Sequence, residues 1–382
     1  MLPLGRLLAT LLALAFANTW ANADTVDLWI ASPEARGDQP AGVYHATLDT
    51  ERGQLTRAVL AARVDGSNFL AIHPTLPVIY TTASLEKAPS VAALRIESTG
   101  DETTLKMIGS TPTGTGGACH VQPDPTGQCL MAAHYGAGDT TIYPLAADGA
   151  ILLRFMAYKH PGPASGVIAS RQEAPHPHAV EVSPDGRYAF APDLGADTIV
   201  TFALEASDSV LKPIKPVPTA PGAGPRHMVF HPDGKHAYVL NELGISVTAY
   251  DYDAAVGELS PIQTVRTLTE ETVAKEPLVK CSEIRIHPTG KFLYAANRGH
   301  DSITVFRVDE ASGKISLVEV ESVRGGWPRN FCLDPSGRWL LAACIDTDAV
   351  TLFKIDQETG ELTFTRVSTT VPAPHCVRTS LR

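Results

Sequence analysis

The chain has 382 residues, 44% of them hydrophobic and 19% charged, so it can bury a sizeable core and is not a disordered segment. Its formal charge of −10 argues against duplex nucleic acid or an anionic membrane as the partner, since both attract basic surfaces. An anionic small molecule is not excluded, because a few arginines in one cleft reverse the sign locally.

Residues 1–23 read as a secretory leader. Arg6 gives the positive start, Leu7 to Ala17 the apolar run, and Ala21-Asn22-Ala23 a small-x-small cleavage site before Asp24. The apolar run is too short to span a bilayer, which takes about 20 residues. The expectation is an exported protein, periplasmic in a Gram-negative cell, with one domain over 24–382 and no membrane contact after cleavage.

From there the chain repeats itself. The segment His231-Pro232-Asp233-Gly234-Lys235, a turn between two strands, has counterparts at His73-Pro74, Asp124-Pro125, Ser183-Pro184, His287-Pro288 and Asp334-Pro335. A period near fifty with short alternating strands is the pattern of propeller blades. Apolar second strands recur seven times, at Leu28–Ala31, Val78–Thr82, Cys129–Ala133, Tyr188–Ala191, His236–Leu240, Phe292–Ala296 and Trp339–Ala343, and seven third strands follow them. Fourth strands follow turns such as Gly53-Gln54-Leu55 and Gly313-Lys314-Ile315. First strands number seven only if His375–Leu381 is included, and the N-terminal second strand lacks a first. The spacing therefore predicts an all-β, seven-bladed β-propeller of four-stranded antiparallel blades, its ring closed by the C-terminal strand joining the N-terminal blade.

In such a ring the first strands line a central channel, and their starts meet the ends of the second strands at one mouth. Antiparallel pairing about the turn at Asp233-Gly234 sets Arg226 near Asn241. The same rule gathers His120, His134, His176, His178, Asp193, Arg226, His227, Asn241, Glu242, Glu283, Asn297, Arg298, Arg329, Asp346 and His375 at that mouth. Two long insertions, Lys159 to Pro175 and Thr267 to Lys280, join a fourth strand to the next first strand and sit over it, the second with a short helix at Thr269 to Lys275.

Other features read as structural. His73, His231 and His287 cap the turns on the far face. Cys129 and Cys332 are buried hydrophobes, whereas Cys119, Cys281, Cys344 and Cys376 fall near strand ends where pairing between blades is conceivable. No cysteine or histidine spacing suggests zinc, and neither a metal nor a cofactor is expected. His300, Asp301 and Ser302 are too close in sequence to form a triad, and Trp327 and Trp339 are packing residues.

The segments Arg171–Arg187, Ala191–Asp197, Pro221–Leu243, Leu293–Phe306 and Pro328–Ala343 resemble the seven-bladed lactonase family that includes bacterial 6-phosphogluconolactonase and the fungal carboxy-cis,cis-muconate cyclases. The likeness covers nearly all of residues 40–380. It departs at His134-Tyr135-Gly136, where the family tends to have Asn-Tyr-Gly, and at Thr82-Ala83-Ser84, where it tends to have Asn-Glu. The resemblance implies a lactone hydrolase with His178, Arg226, Glu242 and Arg298 as catalytic residues and Arg329 as a fifth member of the site; of the residues gathered at the mouth by strand geometry, His120, His134, His176, His227 and Asn297 are expected, with Arg329, to surround the substrate, an anionic sugar-acid lactone. Glu242 or His178 would be the base, and the arginines would clamp an anion or stabilise the oxyanion. A lactonizing cycloisomerase of the muconate type uses the same residues, and a propeller used only for binding is the alternative outside enzymes. A calcium-dependent propeller lactonase is disfavoured by a mouth rich in arginine and poor in carboxylates.

Overall fold

The computed structural model describes residues 25–381 except 101, 154 and 277, and the leader expected over 1–23 lies outside the described residues. Seven antiparallel sheets follow one another as blades 1 to 7. Blade 5 is representative: Pro225–Phe230, His236–Asn241, Ser246–Asp253 and Glu258–Arg266 pair in chain order. Blade 1 is the exception foreseen from the sequence. Thr25–Ser32 pairs on one side with Gly42–Asp49 and on the other with Cys376–Leu381, in the register Ala31 to Cys376 and Leu28 to Thr379. The tail thus supplies the innermost strand of the first blade, and neither end of the ring is left with an open edge.

Second strands are buried over most of their length, and Phe292–Arg298 over all of it, because each lies between two neighbouring blades. Third strands such as Ser302–Val308 begin fully buried and turn one side chain, Arg307, to solvent near the end. The apolar core is correspondingly a ring of joints. Tyr238 and Leu240 of blade 5 cluster with Leu293 and Phe306 of blade 6, and Leu28 and Val377 of blade 1 with Leu341 and Leu352 of blade 7.

A repeated contact sets the spacing of those joints. In blades 4 to 7 the residue opening the second strand lays a ring on a turn glycine of the next blade, and at the closing joint this is Trp339 on Gly53. A Cβ at Gly53 would stand 2.3 Å from Trp339 Cη2, and the backbone there has φ +64°, so only glycine admits the indole. Trp339 Nε1 then donates to the Thr50 carbonyl at 2.8 Å.

On the face of the strand-one to strand-two turns, His73, His231 and His287 each accept a turn amide at Nδ1 (3.1, 3.1 and 3.2 Å), the capping role expected of them. The cysteines differ from one expectation. All six are free thiols, including Cys119, Cys281, Cys344 and Cys376. Cys281 bonds Thr267 Oγ1 and Cys376 the Leu70 backbone within the ring, and burial pushes the Cys281 and Cys344 thiols up to about 12.

Closure by the tail is testable at Val377, which is fully buried in the joint between blades 7 and 1. Val377→Asp puts a carboxylate there with no cation in the cluster to answer it, and is expected to lower unfolding stability by about 3 kcal/mol or more. An unchanged urea midpoint would mean that the tail strand contributes nothing to the ring.

Candidate active site

Backbone irregularities aim the side chains at the mouth. In blade 5 Pro225 pairs with Asn241 but His227 with Leu240, so Arg226 is an extra residue. In blade 7 Pro328 pairs with Cys344 and Asn330 with Ala343, which leaves Arg329 extra in the same way. In blade 6 the partners are Cys281 to Asn297 and Ile284 to Ala295, so Ser282 and Glu283 together face one residue. A β-bulge bends its strand and re-aims the extra side chain. Simple hairpin counting placed Arg226 near Asn241; the bulge is what turns it toward Glu242.

Glu242 is the hub. Its Oε2 lies 3.0 Å from Arg226 Nε and 3.0 Å from Arg298 Nη2, and its Oε1 accepts from Arg171 Nη2 at 2.7 Å. Only the Arg171 contact has hydrogen-bond alignment. The N–H directions of Arg226 and Arg298 miss Oε2, which makes those two contacts ionic. Burial alone would raise the Glu242 pKa, but Arg298, Arg226 and Arg171 overcome it and hold the carboxyl at about 2. Arg226, also buried, is pushed down to about 9 by desolvation and by Arg298. It remains charged at neutral pH.

Arg226 is anchored further through Nη1, which donates to the Ser282 carbonyl and, at 3.0 Å, to His227 Nε2. His227 Nδ1 in turn donates to Glu283 Oε1 at 3.0 Å, and Glu283 Oε2 receives Asn330 Nδ2 and Arg285 Nη2. This order fixes His227 as the neutral Nδ1–H tautomer. Burial and the nearby Arg226 lower its pKa to about 4.

His178 stands edge-on to Tyr135 and to His227, at 5.4 and 5.5 Å between ring centres. Burial, Arg226, His227 and Arg329 keep it neutral by holding its pKa well below the ordinary value. Cys119 Sγ lies 3.8 Å from its Nδ1, while Nε2 has no protein partner among the described residues. Arg329 is the least compensated group. Its side chain has no hydrogen-bond or ion-pair partner among the described residues, and burial and Arg298 lower its pKa. Four guanidinium groups, those of Arg171, Arg226, Arg298 and Arg329, thus surround one carboxylate in a chain of net charge −10. Positive side-chain charge is thereby concentrated at the mouth.

Not every residue expected there is free to meet a ligand. His134 is fully buried, with Nδ1 at the Gly116 carbonyl (2.9 Å) and Nε2 at Thr141 Oγ1 (2.8 Å). Asn297 does the same work in blade 6, giving Nδ2 to Ser302 Oγ and Thr304 Oγ1 at 3.1 and 2.9 Å. Both tie a hairpin end to a hydroxyl seven residues on. His176 bonds the Tyr135 carbonyl and Glu173 and stacks on Tyr135. His120 packs on Phe69 and borders a cavity of about 180 Å³ with Glu181, Arg285 and Arg378, deeper in the channel than Arg226. His300 and Ser302 do touch, Nδ1 to Oγ at 2.8 Å, but Asp301 is turned to the amides of Gly299 and Trp327, so no triad forms.

Three participants were not foreseen. Arg171 comes from the first insertion, whose position over the mouth was legible although its charge was not read as part of the site. Trp327 lies against the Arg298 guanidinium at 5.6 Å and so flanks the site rather than only packing. Tyr135 receives Arg171 at its hydroxyl. The second insertion contributes Lys280 opposite Arg298, and its helix Glu270–Lys275, capped by Thr269, buries no residue. A larger groove of about 750 Å³ between the outer strands of blades 1 and 7 contains Arg57 and Asp38 but no comparable convergence of charge.

A family model described as "Lactonase, 7-bladed beta-propeller" matches residues 27–379. A 6-phosphogluconolactonase of Bacillus subtilis (strain 168) is 36% identical over 77% of this chain and 81% of its own length. A 6-phosphogluconolactonase of Formosa agariphila is 31% identical over 77% and 82%. Among solved structures, the periplasmic gluconolactonase of Pseudomonas aeruginosa superposes with a TM-score of 0.84 at 26% identity, covering 94% of this chain and all of that one.

The depressed histidines set an acid limit on stability. His120, His178 and His227 are neutral in the folded protein, and each takes up a proton near pH 6.5 once unfolded. Below that pH the unfolded state binds more protons, so stability falls as pH drops, by up to about 1.4 kcal/mol per pH unit per histidine, until the folded pKa is reached. Chemical denaturation from pH 8 to 5 is expected to be flat above about 6.5 and to fall below it. His227→Gln is expected to have a shallower slope.

Proposed function

The chain belongs to the seven-bladed β-propeller lactonase family, and on that premise we propose that it is a lactone hydrolase of the 6-phosphogluconolactonase type acting at the arginine-lined mouth. The observation that carries this reading is Arg329, a half-buried guanidinium without a hydrogen-bond or ion-pair partner among the described residues, beside Arg226 and Arg298, which share one carboxylate. The positive charge left over beside that single carboxylate is of the kind that a bidentate anion answers. The substrate is therefore an anionic sugar-acid lactone, or a lactone whose carbonyl oxygen becomes the anion during attack.

In this reading Glu242 is not the base. Held at about 2 by three arginines, it stays ionised and orients them. His178 takes the proton. Its free Nε2 accepts a proton from water as the water oxygen bonds to the lactone carbonyl carbon, and the arginines face the oxyanion that forms. Collapse breaks the ring C–O bond, and the alkoxide leaves as a hydroxyl with the proton returned from His178. Substrate charge also assists this base. Arg226 and Arg329 depress the His178 pKa, so an anion seated on them raises it and makes the imidazole a better acceptor.

Export is part of the proposal. The leader read in residues 1–23 and the likeness to a periplasmic gluconolactonase support an enzyme that meets its lactone outside the cytosol.

Arg329→Gln breaks no hydrogen bond or ion pair among the described residues and is expected to leave the melting temperature unchanged while reducing kcat/KM for 6-phosphogluconolactone by about 100-fold or more. A smaller loss on uncharged gluconolactone would assign Arg329 to the phosphate, and an equal loss to the oxyanion. Full activity on both would remove it from the site. His178→Gln is expected to lower kcat by about 100-fold to 10,000-fold. In the wild type, the acid limb of kcat/KM is expected below pH 6.5, with the limb of kcat at higher pH because the bound anion raises the His178 pKa. Coincident limbs would reject substrate-assisted tuning.

A further inference from the structure

The turn face, opposite the mouth, carries a second cluster. Among the described residues it is the one place where three or more ligand atoms of His, Cys, Asp or Glu lie within 4.8 Å of one another: His231, Asp233 and His236. His231 Nδ1 is 2.9 Å from Asp233 Oδ1, and His236 Nδ1 is 2.9 Å from Asp233 Oδ2.

The outward nitrogens indicate which way the rings are protonated. His231 Nε2 donates to the Gly290 carbonyl of blade 6 at 3.1 Å, and His236 Nε2 faces Asp251 Oδ1 at 3.5 Å. His231 thus carries its proton on Nε2 and keeps an Nδ1 lone pair beside Asp233, whereas His236 Nδ1 donates to Asp233 Oδ2 at 2.9 Å, a proton that a divalent ion would replace. Two imidazole nitrogens beside one carboxylate are the donor set of a cation, and an imidazole whose far N–H is held by a carbonyl, as in His231, has the usual orientation of a metal-ligating histidine.

The other blades provide an internal control. His287 of blade 6 caps its turn as His231 does, with Nδ1 receiving the Thr289 amide and Nε2 at the Gly337 carbonyl, so capping accounts for His231 alone. Where blade 5 has Asp233, blade 6 has Thr289. The ring that packs on the next blade's turn glycine is Phe292 on Gly360 and Trp339 on Gly53, but in blade 5 it is His236 on Gly313. The carboxylate and the second imidazole are thus additions to a turn that forms without them.

We propose that His231, Asp233 and His236 bind a borderline divalent transition-metal ion of the zinc type, with water completing the shell on the exposed side of Asp233. The ion would displace the Asp233 amide from His231 Nδ1, where it stands at 3.1 Å, and join the turn of blade 5 to blade 6 through Gly290 and Gly313. Its role is to brace the ring and not to take part in chemistry at the opposite mouth.

The test uses the untagged protein. Calorimetric titration with zinc is expected to show one ion per chain, cobalt to give the visible absorption of a bound low-coordinate ion that zinc bleaches, and zinc to raise the melting temperature by a few degrees. His236→Phe copies blade 6 at the packing position, and Asp233→Thr copies it at the turn, so both variants retain the fold. Each is expected to weaken zinc binding by at least the ~10–100-fold that loss of an outer partner costs, with lactone hydrolysis unchanged. Absence of one-to-one uptake by the wild type, or equal uptake by both variants, would overturn the site. Neither result depends on whether the chain hydrolyses lactones.

Discussion

Everything in this molecule depends on closing a ring with strands from opposite ends of the chain. The backbone pairing of Thr25–Ser32 with Cys376–Leu381 fixes the radius on the inside, and Trp339 against Gly53 fixes it further out. Because each apolar cluster is shared between neighbouring blades, no blade has a complete core of its own. Closure is therefore also what holds first strands from blades 3 to 7 around a common axis. The mouth inherits its geometry from that constraint.

Within the ring, two departures from regularity convert a scaffold into a site. Bulges at Arg226 and Arg329 turn arginines that would alternate in and out of a flat strand toward one point. An insertion between blades 3 and 4 adds Arg171 from above. Glu242 receives three of the four guanidinium groups, and its ionisation is secured by them despite burial. The fourth, Arg329, has no hydrogen-bond or ion-pair partner among the described residues, which gives an acidic protein a cationic funnel. Below it, Glu283 and His227 hold Arg226 in place through an ordered chain of donors and acceptors. In the proposed reaction, burial and that positive field keep His178 neutral until an anion arrives.

Much of this was legible before any coordinates. The period of the Pro-Asp-Gly turns, the seven apolar second strands and the missing first strand at the N-terminus together required a closed propeller and identified the strand that closes it. Hairpin counting also brought Arg226, Glu242, Arg298 and Arg329 to one end of the channel. What it could not separate was residues at the same register position with different side-chain directions. Asn297 and Arg298 are adjacent in sequence, yet one is turned into its own blade to bind Ser302 and Thr304 while the other meets Glu242. His134 occupies the position of Asn297 in blade 3 and does that internal work, bonding Thr141. For His231, Asp233 and His236 the spacing spans a turn and a strand start, a pattern that matches no metal motif until the turn folds.

The sequence by itself determined the fold class, the number of blades, the mode of closure and the end of the channel where charge collects, because those follow from periodicity and strand polarity, which are local properties repeated along the chain. Only the tertiary structure decided which arginines share a carboxylate, which one is left unpaired, and which histidine is neutral with a free nitrogen. Those outcomes depend on bulges that shift side chains by one residue and on distances of about 3 Å within a blade and between neighbouring blades. Electrostatic energy at such range changes steeply with separation and burial, and neither quantity is encoded in a repeat pattern.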